Sequence, residues 1–289
     1  MEPTGPIKIR LEQIFKAFGE KKVLRGVDLQ VHEGESLVIL GGSGTGKSVL
    51  LKHVIGLLKP DSGTVTVDGT DLASLDYREI THFRRRFGMA FQGGALFDSM
   101  DVFHNIAFPL ERTRRFNRSQ IRARVEECLA LVRLEGTEKK APSELSGGMR
   151  RRIGFARAIA LEPQILLFDE PTSGLDPVMT AVIDDVILDL KRTLQSTTIT
   201  ITHDMTSAFR IADRLAMLHH GKVIAEASPE GMKNSPDPRV RQFIEGRANG
   251  PLNDHPADDP FSDHPADGPL NDTPEEGPST KTRPPQESP

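Results

Sequence analysis

The amino-acid sequence predicts an α/β fold: a mainly parallel sheet core with a small antiparallel β subdomain and a helical subdomain. Three observations lead there. Short, wholly apolar runs end in glycine or acid, as strands buried on both faces do. Longer segments between them repeat apolar residues at helical spacing. The two kinds alternate along the chain, which suits parallel strands joined by helical crossovers.

Before Gly41 and around Gly63–Asp68, alternating segments predict the antiparallel sheet. Glu35-Ser-Leu-Val-Ile-Leu-Gly41 reads as a buried strand, followed by glycines and an apolar-periodic helix from Lys47 to Leu58. Phe87–Phe91, Gln164–Asp169 and Ser196–Thr202 are further strands. Ile121, Val125, Leu129 and Val132 mark one amphipathic helix, and Val182, Ile183, Val186, Ile187, Leu190 and Leu194 another. A helical insert is expected near 95–150.

Composition excludes several classes. Apolar runs such as Ile165–Phe168 fall far short of the ~20 residues of a membrane helix. The single cysteine, Cys128, rules out a disulfide framework or a Cys-based zinc site and reads as a small core residue. With no Trp and only one tyrosine, Tyr77, the chain offers little for stacking on nucleic acid, and no nucleic-acid partner is expected. The start, MEPTGPIKIR, lacks the apolar stretch of a secretory signal, so a cytoplasmic location is expected. Arg84–Arg86 and Arg150–Arg152 read as solvated or subunit-facing surfaces, and His219-His220 as a turn with exposed imidazoles.

Residues 250–289 stand apart. They hold nine acidic and two basic side chains and ten of the 21 prolines. Such a stretch buries too little apolar surface to offset chain entropy, so a disordered tail is expected after a body of residues 1–249. The tail repeats with period nine: Gly250-Pro-Leu-Asn-Asp, Asp259-Pro-Phe-Ser-Asp and Gly268-Pro-Leu-Asn-Asp, with DHPAD at Asp254 and Asp263. His255 and His264 lie in it as solvated, weak metal ligands.

Two motifs carry chemistry. Gly41-Gly42-Ser43-Gly44-Thr45-Gly46-Lys47-Ser48 matches G-x-x-x-x-G-K-[ST] between a strand and a helix. Its glycines let backbone N–H groups turn inward around phosphate oxygens, and the helix adds its positive end. Lys47 supplies a charge for the β- and γ-phosphates and Ser48 a hydroxyl ligand for Mg²⁺. This is a P-loop, expected to bind a nucleoside triphosphate. Downstream, Ile165-Leu-Leu-Phe-Asp169-Glu170 delivers two carboxylates at a strand end. Asp169 is placed to hold Mg²⁺ through water, and Glu170 to orient and polarise the attacking water.

Other residues narrow the class. Ser146 of Leu145-Ser-Gly-Gly-Met149 lies 23 residues before Asp169, and Gln92 lies 45 after Lys47. Ser173-Gly-Leu-Asp176 follows the acids, and His203 comes 33 residues after Glu170. With Phe18 upstream, this ordered set resembles the ATP-binding subunit of ABC transporters, from about Ile7 to Ile244. The resemblance implies that Phe18 stacks on adenine, and that Gln92 contacts Mg²⁺ and the water and signals to a membrane subunit. It implies that Ser146, Gly147 and Gly148 grip the γ-phosphate held by a second copy, that Asp176 crosses the dimer interface, and that His203 contacts the γ-phosphate and steadies Glu170. Met149 departs from the glutamine common at that position, which is expected to alter coupling or specificity rather than ATP use.

A narrower resemblance rests on Ser48–Gly63, Phe87–Ser99, Ala107-Phe-Pro-Leu110 and Leu145–Arg150. These are similar to the ATPases of Mla-type, MCE-associated lipid transporters, also described as organic-solvent-resistance ATPases. The resemblance implies ATP hydrolysis that powers phospholipid movement between the inner and outer membranes of a Gram-negative envelope. It implies an integral membrane permease, an MCE-domain lipid-binding protein and a small STAS-domain subunit as partners, with the chain peripheral on the cytoplasmic face of the inner membrane. Segment 93–110 is where that family docks its permease, which makes Ala95-Leu-Phe-Asp-Ser-Met100 the candidate contact. Another cargo, such as lipoproteins or amino acids, is the stronger rival. A soluble non-transport ABC ATPase usually carries zinc cysteines, coiled coils or two cassettes, and a small-molecule kinase has no need of Leu145–Gly148.

Overall fold

The computed structural model describes residues 5–253. The tail expected over 250–289 therefore enters only as Gly250–Asn253. The later repeats, His255 and His264 lie outside the described residues.

A long antiparallel hairpin, β1 (Ile7–Phe18) and β2 (Lys21–His32), opens the fold. β3 (Ser36–Leu40) and α1 (Lys47–Val54) follow, then β4 (Ser62–Val67), β5 (Thr70–Asp71), α2 (Tyr77–Phe83) and β6 (Phe87–Ala90). The helical part comprises α3 (Val102–Thr113), α4 (Arg118–Leu131) and α5 (Gly147–Ile159). β7 (Ile165–Asp169), α6 (Pro177–Leu194), β8 (Thr197–Thr202) and α7 (Met205–Ile211) return to the sheet. β9 (Arg214–His219), β10 (Lys222–Ala227), α8 (Pro229–Lys233) and α9 (Pro238–Glu245) complete the described chain.

Two sheets result. The four-stranded one, β2-β1-β4-β5, is antiparallel throughout. The six-stranded one runs β10-β9-β3-β8-β7-β6 and is parallel except for the β9–β10 hairpin at its edge. Alternation divides its central strands between two cores. Leu37 and Ile39 of β3, Ile165 and Leu167 of β7, and Ala216 and Leu218 of β9 join α1 and the antiparallel sheet in one core. Val38 and Leu40, Leu166 and Phe168, and Leu215 and Met217 join α3–α7 in the other. Burial on both faces is why these strands read as unbroken apolar runs.

Three expectations change. The P-loop helix stops at Val54 rather than Leu58, because Gly56 (φ +66°) turns the chain and the Gly56 and Leu57 N–H groups bond back to His53 O and Lys52 O. The arginine runs are only partly surface. Arg84 donates to the Ile55 and Gly56 carbonyls, and Arg152 to those of Val132 and Arg133, so each closes a helix C-terminus. Arg124 does the same for Ile159 and Ala160 at the end of α5. Finally, His219 is half-buried where the turn was expected to expose it, although His220 is exposed at φ +44°. Cys128 is fully buried, as expected.

α6 and α7 are tied by a buried acid. Asp184 Oδ1 accepts from Ser207 Oγ at 2.5 Å, and burial pushes the Asp184 carboxyl up to about 6. In the unfolded chain it titrates near 3.8. The folded state therefore binds this proton more tightly, and its contribution, full at low pH, drains away as pH climbs from about 4 through 6. Asp184→Asn is expected to melt above the parent by a margin that widens to about pH 6 and then holds, worth up to about 3 kcal/mol. Thermal melts across pH 4–8 check this; a margin that ignores pH would refute it.

Candidate nucleotide-binding site

Because β3, β8, β7 and β6 are parallel neighbours, their C-terminal ends lie along one sheet edge. The Gly41–Gly46 loop leaves β3, His203 leaves β8, Asp169 and Glu170 end β7, and Gln92 follows β6. They meet in an open cleft of about 770 Å³ lined by Phe18, Gly42–Gly44, Gly46–Ser48, Gln92, Asp169, Glu170, Ser173 and His203. A groove of about 1230 Å³ lies elsewhere, around Asp28, Glu35, Asp213 and Arg214. Its central Arg214 is paired with Glu35 and Glu226, and it gathers none of the motif residues.

The loop conformation needs its glycines. A Cβ on Gly41 would stand 2.4 Å from Leu218 O, and Gly44 and Gly46 hold φ of +78° and +104°. No side chain caps α1, so its first N–H groups are left to an external acceptor. Lys47 is buried and donates to Gly41 O and Gly42 O, each at 2.8 Å, with Glu170 Oε1 3.8 Å away. Burial pulls the Lys47 ammonium below its ordinary value, against the opposing pull of Glu170 and Asp169. Ser48 Oγ reaches Asp169 Oδ1 at 3.5 Å. Burial, then the adjacent Glu170 charge, push Asp169 up, with Ser48 and Lys47 countering.

Glu170 occupies a costly conformation. Its φ is +49°, and its N–H donates to Ile201 O on the neighbouring strand at 2.9 Å. The side chain is only 15% exposed. Oε2 lies 2.9 Å from His203 Nδ1, out of line for a hydrogen bond, and is otherwise unpartnered. A buried carboxylate oxygen with free lone pairs can accept a proton from a water held in the cleft. A second loop tie runs from Thr172 Oγ1 to Asp204 Oδ2 at 3.3 Å. Gln92 Nε2 touches Ser173 Oγ at 3.4 Å. Phe18 stands at the rim, 49% exposed.

Gly41 and Thr45 belong to the loop but do not line the cleft, Thr45 Oγ1 donating to Gly42 O at 3.0 Å, and four more predicted residues lie away from it. Ser146 caps α5, accepting from Met149 N–H at 3.3 Å, and Gly147 follows it on the surface. Gly148 is buried, with Met179 where its Cβ would be. Asp176 Oδ1 caps α6 through the Val178 and Met179 N–H groups, beside a 73% exposed Val178. Residues that sequence reasoning passed over are Ser173, in the cleft, and Arg151, which donates to Pro171 O at 3.1 Å and to Ser173 O, holding the loop after Glu170. Arg151 had a signal: Gly148, Arg151, Phe155 and Ile159 fall on one face of α5, and all are buried.

The segment after Gln92 is pinned at both ends. Buried Asn105 accepts from Phe97 N–H and donates to the carbonyls of Phe97, Met100 and Asp101. Arg157 donates to Gly94 O and Ala95 O, and Gly154 packs against Gly94 so closely that a Cβ would sit 2.9 Å from its Cα. Ala95, Phe97, Asp98 and Ser99 are exposed.

A family model described as ABC transporter matches residues 24–173. The intermembrane phospholipid transport system ATP-binding protein MlaF of Haemophilus influenzae is 41% identical over 242 residues, 83% of this chain and 92% of that protein. The probable ribonucleotide transport ATP-binding protein mkl of Mycobacterium tuberculosis is 44% identical over 250 residues, 86% of this chain and 69% of that one. Among solved structures, a dimeric ATP-binding cassette in a post-hydrolysis state with ADP and Pi shares 33% identity at a TM-score of 0.70, covering 76% of this chain and 98% of that one.

Lys47→Ala should leave the fold intact and weaken ATP binding about ten- to hundredfold, as loss of one or two charge-assisted hydrogen bonds predicts. Calorimetric titration with ATP reads this directly. Unchanged affinity would remove Lys47 from the site.

Proposed function

The chain belongs to the ABC transporter family, and from that premise we propose that it hydrolyses ATP to power phospholipid transport between the inner and outer membranes of a Gram-negative envelope. One observation carries the cargo: the match to a relative named for intermembrane phospholipid transport spans 92% of that relative. The reading of the chemistry rests on the shared strand edge. There the free N-terminus of α1 and Lys47 receive the triphosphate, with Phe18 at the adenine end. Ser48, Asp169 and Gln92 present oxygen donors suited to Mg²⁺. That ion, when bound, neutralises phosphate charge. Glu170 accepts the proton of the attacking water, and His203, its Nδ1 2.9 Å from Glu170 Oε2, is within reach to steady the carboxylate once the ring turns into line.

One cleft presents donors to a single side of the triphosphate. Ser146–Gly148 and Asp176, outside it, are suited to close the other side from a second copy, with exposed Val178 at the seam. Clamp closure then depends on the γ-phosphate, and moving a two-state equilibrium from 1:99 to 99:1 takes about 5.5 kcal/mol. Several charge-assisted hydrogen bonds supply a difference of that order. Exposed Ala95 and Phe97–Ser99, pinned through Asn105 and Arg157, form the contact for an integral membrane permease. An MCE-domain lipid-binding protein and a small STAS-domain subunit complete the assembly. The chain then sits on the cytoplasmic face of the inner membrane; among the described residues no helix is long and apolar enough to cross it.

A second reading, another cargo, is favoured by the relative named for ribonucleotide transport. Purifying the chain from its native membrane separates the two. Co-purification of an MCE-domain protein with bound phospholipid supports the lipid reading, and a different solute-binding protein overturns it. For the chemistry, Glu170→Gln is expected to retain ATP and trap a dimer while turnover falls about 10²–10⁴-fold. Turnover at the parent rate would sink the assignment.

A further inference from the structure

Near its end the chain carries one five-residue sequence twice, Gly250-Pro-Leu-Asn-Asp254 and Gly268-Pro-Leu-Asn-Asp272, with a divergent copy, Asp259-Pro-Phe-Ser-Asp263, midway. The first copy is seated on the body as far as Asn253. Leu252 joins Phe243 and Ile244 of α9 in packing against the larger core. Its N–H donates to Gln242 Oε1 at 2.7 Å. Asn253 N–H closes a turn onto Gly250 O at 2.9 Å, and Asn253 Nδ2 donates to Ala248 O. Gln242 is itself buried, 4% exposed, and its Nε2 donates to Arg247 O at 3.3 Å.

The first position of the seat admits glycine alone. Gly250 has φ +154°, and a Cβ there would stand 2.5 Å from Gln242 Oε1 and 2.6 Å from its Cδ. Gln242 is buried and bonded at both ends of its amide, so it has nowhere to retreat. The second position is proline, which lowers the entropy lost on seating. The third needs an apolar side chain and a free N–H, and the fourth an amide donor.

We propose that α9 and the turn through Arg247–Ala248 form a recognition site for the peptide Gly-Pro-Leu-Asn, and that Gly268–Asn271 is its second ligand, exchanging with Gly250–Asn253. The middle copy is shut out, because Asp259 places a Cβ where Gln242 stands. The first copy holds the seat in the parent chain, since it closes the shorter loop. Exchange moves the anchor by 18 residues along an acidic segment, up to ~60 Å of extended chain.

Amide hydrogen exchange on the full chain tests this. Gly250→Asp, which copies the first residue of the divergent repeat, is expected to release Leu252 and Asn253 and slow exchange at Leu270 and Asn271 about tenfold. In the double variant Gly250→Asp/Gly268→Asp neither copy is protected. A synthetic peptide of residues 266–273 then shifts the Gln242 side-chain amide resonances, and its Gly268→Asp form does not. The proposal falls if Leu252 stays protected in the single variant, if Leu270 and Asn271 exchange there at open-chain rates, or if the peptide leaves Gln242 unmoved.

Discussion

Everything at the cleft depends on a register constraint: β3, β8, β7 and β6 run side by side in one direction, the first three buried on both faces. α1 and the antiparallel sheet cover one face, and α3–α7 the other. Charged side chains are thereby kept off the faces of β3, β7 and β8, whose buried polar groups are hydroxyls such as Thr198 and Ser36, and are confined to the strand ends. β3 is the pivot, with all five residues buried between β9 and β8. A slip of one residue in it would exchange its two apolar faces and carry the glycine loop away from Asp169 and Glu170.

Two residues near that edge hold strained backbone conformations. Glu170 is in the left-handed region, as is Ala95 at φ +45° beyond Gln92. Non-glycine residues hold such conformations only where their surroundings over-determine them. For Glu170 the restraint is its N–H bond to Ile201 O and the Arg151 grip on the following loop. For Ala95 it is Arg157 on the carbonyl. Arg151 and Arg157 both lie on α5, the helix that begins at Ser146. The acid loop and the segment after Gln92 are thus fastened to a single rigid element, a physical route by which a change at one reaches the other.

The helical part owes its rigidity to long-range carbonyl capping more than to surface ion pairs. Arg124 and Arg152 each span from one helix to the C-terminus of another, satisfying carbonyls that a helix end leaves open. The Arg124 bonds, charge-assisted and buried, are worth more than the exposed pairs at Arg192–Asp189 or Arg210–Asp185.

The strands and the phosphate loop were legible in the linear chain because their causes are local. A strand buried on both faces must carry apolar or small β-branched side chains, as the isoleucines and threonines of β8 do, and a backbone that wraps an anion must be glycine at set intervals. Glu35–Gly41, Gln164–Asp169 and Ser196–Thr202 accordingly matched within a residue or two. The end of α1, the capping arginines, the second duty of Asp176 at the start of α6 and the conformation of Glu170 could not be read that way. Each is set by groups distant in sequence: Arg84 beside Gly56, Arg124 beneath Ile159, Ile201 opposite Glu170. A residue type states what it can bond, but only the folded chain determines which of the available partners stands within reach.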